Sequence, residues 1–173
     1  SQNRILIGSG DLRTDLNARF QATNVKARNS TSVVCNELIL TASPEFFENN
    51  KKLEDWVKVQ MEYLQNEFGE NAINAVLHLD EQTPHIHAFI TGIEYKNGEY
   101  KLNNKSYMKK YETMQDIYFK YNKPLGLIRG VKKEVSNAKY KEVKEFYSDI
   151  KNIKKETELE IENNKIEKIR VIE

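Results

Sequence analysis

Apolar residues recurring every second position, and others recurring every third or fourth, divide the chain into strand-like and helix-like segments. Residues 3–7 (Asn-Arg-Ile-Leu-Ile) read as a short strand that ends at Gly8-Ser9-Gly10. Residues 11–32 are polar and read as a part-helical surface segment. Residues 33–41 (Val-Val-Cys-Asn-Glu-Leu-Ile-Leu-Thr) read as a mostly buried strand. Ser43-Pro44-Glu45 carries the marks of a helix start: a favoured N-cap, a proline at the first position and an acid near the positive end of the dipole. Leu53, Trp56, Val57, Met61, Leu64 and Phe68 then recur at helical spacing, and Gly69 stands where a C-terminal cap belongs. This stripe is core packing and not a cofactor site.

Residues 72–79 and 85–94 read as the next two strands, with residues 80–84 as the loop between them. Lys96-Asn97-Gly98-Glu99 is a turn signal, and Tyr100-Lys101-Leu102 a short returning strand. Ser106 opens a second helix with Tyr107, Tyr111, Met114, Ile117 and Tyr118 on one side, broken by Pro124-Leu125-Gly126. From about Glu134 the chain is rich in lysine and glutamate, with Val143, Phe146, Ile150, Ile153, Leu159 and Ile166 spaced as in a solvated helix or the start of a coiled coil. The expected architecture is an α+β domain over residues 1–134, built on a mostly antiparallel sheet with helices packed on one face. Residues 135–173 form a charged helical tail, a spacer or homodimerisation arm.

Composition narrows the function classes. In 173 residues, 31% charged and 39% hydrophobic content suits a folded globular chain and neither a disordered one nor a membrane protein. No apolar run approaches the roughly 18 residues of a bilayer crossing, and no signal-peptide pattern is present. A single cysteine, Cys35, excludes an internal disulfide framework and points to a reducing compartment such as the cytoplasm, with Cys35 a buried structural residue. A net charge of +1 gives no overall preference for nucleic acid. Locally the balance differs. Arg13, Arg19, Lys26 and Arg28 face only Asp11 and Asp15, and residues 21–36 hold no acid. Such a segment is a basic surface, and it becomes a phosphate-tracking groove if the chain acts on nucleic acid.

All three histidines lie within residues 78–87, His-Leu-Asp-Glu-Gln-Thr-Pro-His-Ile-His. Residues i and i+2 of a strand share a face, so His85 and His87 project together while Ile86 points into packing. Antiparallel pairing across the loop brings His78 opposite them, with Cβ atoms about 4.5–5.5 Å apart. Three imidazoles can then meet one metal at about 2.0–2.1 Å and leave coordination positions open, as catalytic sites do. Glu81 reads as a fourth ligand, a group orienting a histidine, or a base. Asp80 has the same options, and Pro84 fixes the direction in which His85 enters its strand. Hydrolase, iron-oxygenase and nuclease chemistry all remain compatible with this set.

The string from His78 to His87, H-x-D-E-x-T-P-H-x-H, resembles the metal motif of the Mob/Pre (MobV-type) plasmid mobilisation relaxases of the HUH endonuclease superfamily. Val33-Val-Cys-Asn-Glu with Leu-Ile-Leu-Thr and Pro-Glu-Phe-Phe47, Asn66-Glu-Phe-Gly69 with Ala75-Val-Leu-His78, Arg129-Gly130, and Asn137-Ala-Lys-Tyr140 resemble the family's flanking segments. The resemblance implies a site- and strand-specific nickase acting on plasmid origin DNA, partly single-stranded. It implies transesterification to a 5′-phosphoryl enzyme with a free 3′-hydroxyl. By position, His78, His85 and His87 would be ligands of manganese or magnesium, with zinc also compatible, and Glu81 would assist. Arg19, Lys26, Arg28, Lys105, Lys109 and Arg129 would be phosphate contacts. In this family the nucleophile, a histidine or tyrosine, precedes the strand that residues 3–7 resemble. The expectation is therefore a metal- and DNA-binding core whose nucleophile lies upstream of Ser1, with Tyr107 and Tyr111 the first alternatives. Rival expectations are an HUH replication initiator or transposase, a metal-dependent hydrolase of small substrates, and a non-catalytic dimerisation module.

Overall fold

The computed structural model describes residues 3–48, 52–103 and 111–130, together with 148, 152–153, 155–159 and 161. Its elements are β1 (Arg4–Ile7), α1 (Leu12–Thr23), β2 (Asn36–Thr41), α2 (Pro44–Phe47), α3 (Leu53–Phe68), β3 (Ala72–His78), β4 (His85–Ile90), β5 (Ile93–Lys96), β6 (Glu99–Leu102) and α4 (Tyr111–Asn122). A four-stranded antiparallel sheet has the order β1-β3-β4-β2, and β5 and β6 form a separate two-stranded sheet. The chain divides into two compact units, Ser1–Arg129 and Gly130–Glu173. Beyond Gly130, the described residues of the second unit are helical and exposed.

Alternation along the strands sorts the large sheet into two faces. Ala75, Leu77, Ile86, Ala88, Ile90 and Leu40 form one core with Trp56, Leu64 and Phe68 of α3, and Met114, Ile117, Tyr118 and Tyr121 of α4 pack against it. Burial of this apolar face is the main force holding the sheet to its helices. The other face carries Asn74, Val76, His78, His85, His87, Phe89, Ile39 and Thr41.

α1 is fastened by polar bonds. Asp11 caps it by accepting from the Thr14 amide at 3.0 Å. Asp15 accepts from the Ser9 amide at 2.9 Å and from the buried Asn74 amide at 2.7 Å. Burial raises the Asp15 carboxyl, but these bonds outweigh it and hold the group below the usual carboxylate range. Gly8 makes the approach possible. At φ +78°, a Cβ there would lie 2.4 Å from the Asp15 carboxylate and 2.6 Å from the Ile73 carbonyl.

Several elements differ from the sequence expectation. The strand expected over 33–41 begins only at Asn36, because its partner β4 ends at Ile90, the residue opposite Asn36. Val33 is 56% exposed and Cys35 is half-buried. The strand expected over 85–94 breaks at Thr91. The Thr91 amide and hydroxyl both donate to Asn71, at 2.8 Å each, and the chain leaves the sheet to start β5. The helix signal at Ser43 produces only the four-residue α2, separate from α3, and the Ser43 side chain makes no capping bond. Met61 is half-buried, whereas Gln60 and Tyr63 are buried. Gln60 donates to Asn122 at 2.7 Å and to the Trp56 carbonyl at 3.2 Å, which is how a polar side chain is accommodated there. The start expected at Ser106 and most of the tail lie outside the described residues.

Candidate metal centre

Strand register brings the three histidines together. His78 pairs directly with His85, and Val76 with His87, so the rings occupy adjacent positions on the face away from α3. Ring centroids are 5.1 Å apart for His78–His85, 4.8 Å for His78–His87 and 4.9 Å for His85–His87. One nitrogen from each ring lies within 4.8 Å of the other two, and each residue is half-buried. Both β3 and β4 are interior strands, and His85 and His87 stand on backbone paired from two sides.

The rings are oriented through their Nδ1 atoms. His85 Nδ1 lies 2.9 Å from the Thr83 carbonyl, which can only accept, so Nδ1 carries the proton and Nε2 presents a lone pair. His87 Nδ1 meets the Glu37 carboxylate at 2.5 Å with the same consequence. A carboxylate or carbonyl behind an imidazole is the usual outer-shell arrangement of a metal-binding histidine. The His78 Nδ1 is 3.9 Å from the Asp80 carboxylate, beyond hydrogen-bonding distance.

The loop between the histidine strands is tied down at both ends. Asn3 donates to Asp80 at 3.0 Å and accepts from the Leu79 amide at 3.1 Å. The Thr41 hydroxyl donates to the Pro84 carbonyl at 2.9 Å, immediately before His85. Tyr118 of α4 donates its hydroxyl to the Thr41 carbonyl at 2.9 Å, and burial pushes this phenol up to about 12, so it stays a donor. Glu81 is exposed, with a carboxylate oxygen 3.9 Å from His85 Nε2, the nitrogen left free to bind. Beside His87, register aligns Ile5, Val76, His87 and Ile39 in one row across the sheet. Ile5 and Ile39 are exposed, so the floor next to the histidines is apolar and open.

Glu37 is the residue that the sequence did not single out. It is an acid inside an apolar strand, four residues before Thr41 and hence on the same face as the histidines. Its position diagonal to His87 becomes visible only once β2 is set in register against β4.

The basic residues fall into separate groups. Arg19 is held by Glu70 at 2.7 Å, and Arg129 by Asp116 at 2.9 Å and Gln115 at 3.0 Å. Lys26 and Arg28 line an open groove beside β6. Lys105, Lys109 and Tyr107 lie outside the described residues.

An antiparallel α+β domain thus presents, on its two central strands, three imidazoles that could hold a metal ion. Residues 1–148 match the family described as plasmid recombination enzyme, Mob_Pre, and the chain belongs to that family. A 65 kDa protein of Zymomonas mobilis is 32% identical over 157 residues, covering 86% of this chain and 26% of that protein. Plasmid recombination enzyme type 1 of Staphylococcus aureus is 32% identical over 119 residues, covering 64% of this chain and 29% of its own length. The chain thus spans under a third of either relative. Among solved structures, a Mn-bound MobM relaxase domain in complex with a 23-nucleotide pMV158 oriT DNA superposes with a TM-score of 0.62 at 24% identity, over 86% of this chain and 81% of that one. The fold is therefore that of the MobM relaxase domain. Among the described residues, no helix is long and apolar enough to cross a membrane.

Proposed function

We propose that this chain carries the metal centre of a site- and strand-specific DNA relaxase acting at a plasmid transfer origin. The observation that carries the reading is the histidine triangle on β3 and β4, with two of its rings fixed so that Nε2 faces outward. Family membership supports it, as does the Mn- and oriT-bound state of the MobM domain that shares the fold.

His78, His85 and His87 would hold a divalent ion, manganese or magnesium. When bound, such an ion supplies Lewis-acid polarisation of a scissile phosphate and neutralises developing charge. Glu37 and the Thr83 carbonyl hold two rings in the ligating tautomer. Glu81, beside His85 Nε2, completes the charge around the centre or takes up a proton. Asp80 is fixed by Asn3 and shapes the loop. The open apolar row beside His87 would give a flipped base or sugar an apolar surface to pack against next to the metal centre. Attack by a protein nucleophile would then break the P–O3′ bond, leaving a 5′-phosphoryl link and a 3′-hydroxyl.

The test combines Mn2+ titration with a cleavage assay on end-labelled single-stranded origin oligonucleotides, with and without EDTA. Mn2+ binding that depends on the histidines, together with EDTA-sensitive recognition or cleavage of the origin strand, supports the reading. Absence of histidine-dependent metal binding overturns it. A covalent 5′-adduct would place the nucleophile within this chain, with Tyr107 and Tyr111 the first to substitute.

Glu37→Gln removes the carboxylate behind His87 and keeps its shape. Mn2+ affinity should fall about 10–100-fold, read by calorimetric titration, with the metal-free protein unfolding as before. Unchanged affinity would mean that Glu37 does not orient the ligand. The charged C-terminal segment, whose Ile153, Leu159 and Ile161 are exposed, is proposed as a homodimerisation arm. Size-exclusion chromatography with and without residues 135–173 tests that role.

A further inference from the structure

We infer that the β5–β6 hairpin and the segment following α1 form a second nucleic-acid subsite, separate from the histidines, that grips single-stranded DNA by stacking and phosphate contact. The inference rests on the proposed action on DNA and adds to it a place where the strand is held away from the reacting phosphate.

The site is an open groove of about 520 Å³ lined by Asn24, Val25, Lys26, Arg28, Ser32, Val33, Tyr100, Lys101 and Leu102. Two features suit it to a flexible polyanion. The first is charge. Lys101 is paired with Glu99 at 2.8 Å, but neither Lys26 nor Arg28 has an acidic partner among the described residues. The chain on that wall holds no acid from residue 21 to 36. Uncompensated cations facing an open groove raise the local potential for phosphate.

The second feature is aromatic surface. Tyr95 and Tyr100 are cross-strand partners on the hairpin, with centroids 5.0 Å apart and rings at 61°. They are 66% and 42% exposed. Two large rings left in water on a small hairpin add nothing to the core, whereas unpaired bases stack on such surfaces whatever their sequence. Asn97 and Gly98, at φ 55° and 85°, form the tight turn that pairs Tyr95 with Tyr100. Val25, Val33 and Leu102 add an apolar floor for base edges. Duplex DNA keeps its bases stacked internally and would use only the cations, so the paired tyrosines favour a single strand.

The test uses the full chain and fluorescence anisotropy with labelled dT20, a matching 20-base-pair duplex, and a range of salt concentrations. Wild type should prefer dT20. Tyr100→Ala should weaken dT20 binding roughly tenfold, and Tyr100→Trp should restore it. Lys26→Ala with Arg28→Ala should lower the slope of log affinity against log salt by about 1.4, about 0.7 for each lost single-strand phosphate contact. Circular dichroism monitors folding of each variant, and Mn2+ titration should be unchanged in all of them. If wild type binds dT20 but these variants bind it equally with the same salt slope, the groove is not the subsite, while DNA binding elsewhere stands. Loss through the cations without any effect at Tyr100, with duplex bound as well as dT20, overturns the single-strand assignment. Failure of wild type to bind dT20 overturns the groove, and Mn2+ binding then reports on the histidine centre independently.

Discussion

His85→Ala will lose divalent-metal binding by more than the roughly 10–100-fold that removal of an outer-shell partner costs. His85 faces His78 on β3 and Thr41 on β2 in register. Its side chain is 12% exposed, the lowest of the three, and the Thr83 carbonyl fixes which nitrogen faces outward. Removing it leaves two imidazoles, because the chain holds only three histidines. Wild type at a free Mn2+ concentration near 100 times its dissociation constant should gain about 2.7 kcal/mol of stability. The variant at the same concentration should gain almost none. Calorimetry and metal-dependent thermal unfolding would read the two effects separately. Retention of Mn2+ affinity within tenfold would remove the triad as the metal centre.

Trp56→Ala will destabilise the fold by about 3–5 kcal/mol, the usual cost of emptying a buried indole site. Trp56 is fully buried between α3 and the sheet and packs edge-on against Phe47 at 5.1 Å. It lies on the core side, away from the imidazoles, so folded molecules should keep normal Mn2+ affinity. Urea unfolding with an unchanged m-value would measure the loss. A cost under about 1 kcal/mol would mean that α3 is not the backing of the sheet. Comparing the two substitutions separates support from chemistry, since one lowers the folded population and the other lowers affinity at full population.

The histidine triangle was legible in the sequence because it depends on two local rules, strand alternation and a short loop. His85 and His87 share a face by spacing alone, and the length of the 80–84 loop sets His78 opposite. Glu37 was not legible, because its role needs the register of β2 against β4, a pairing across a separation of 50 residues. Strand ends failed for a related reason. Val33 and Val34 are apolar and β-branched, but β4 has no residue left to pair with them once Thr91 turns toward Asn71. Gln60 was missed since the burial of this polar side chain in the middle of α3 draws on Asn122, a residue 62 positions later. The α3 stripe and the Asn97-Gly98 turn were readable because each is decided by neighbours within one or two turns of chain.

The interior position of β3 and β4 has a kinetic consequence. His85 and His87 are held by strands on both sides and His78 pairs with His85, so exposing this backbone means parting the sheet, a process close to global unfolding. The β5–β6 hairpin is a two-stranded ribbon outside that sheet, and such ribbons open at much lower free energy. Amide hydrogen exchange should therefore divide the molecule into two clocks, slow along residues 72–78 and 85–90 and fast along residues 93–102. A ligand held across both surfaces would slow the fast clock while leaving the slow one nearly unchanged.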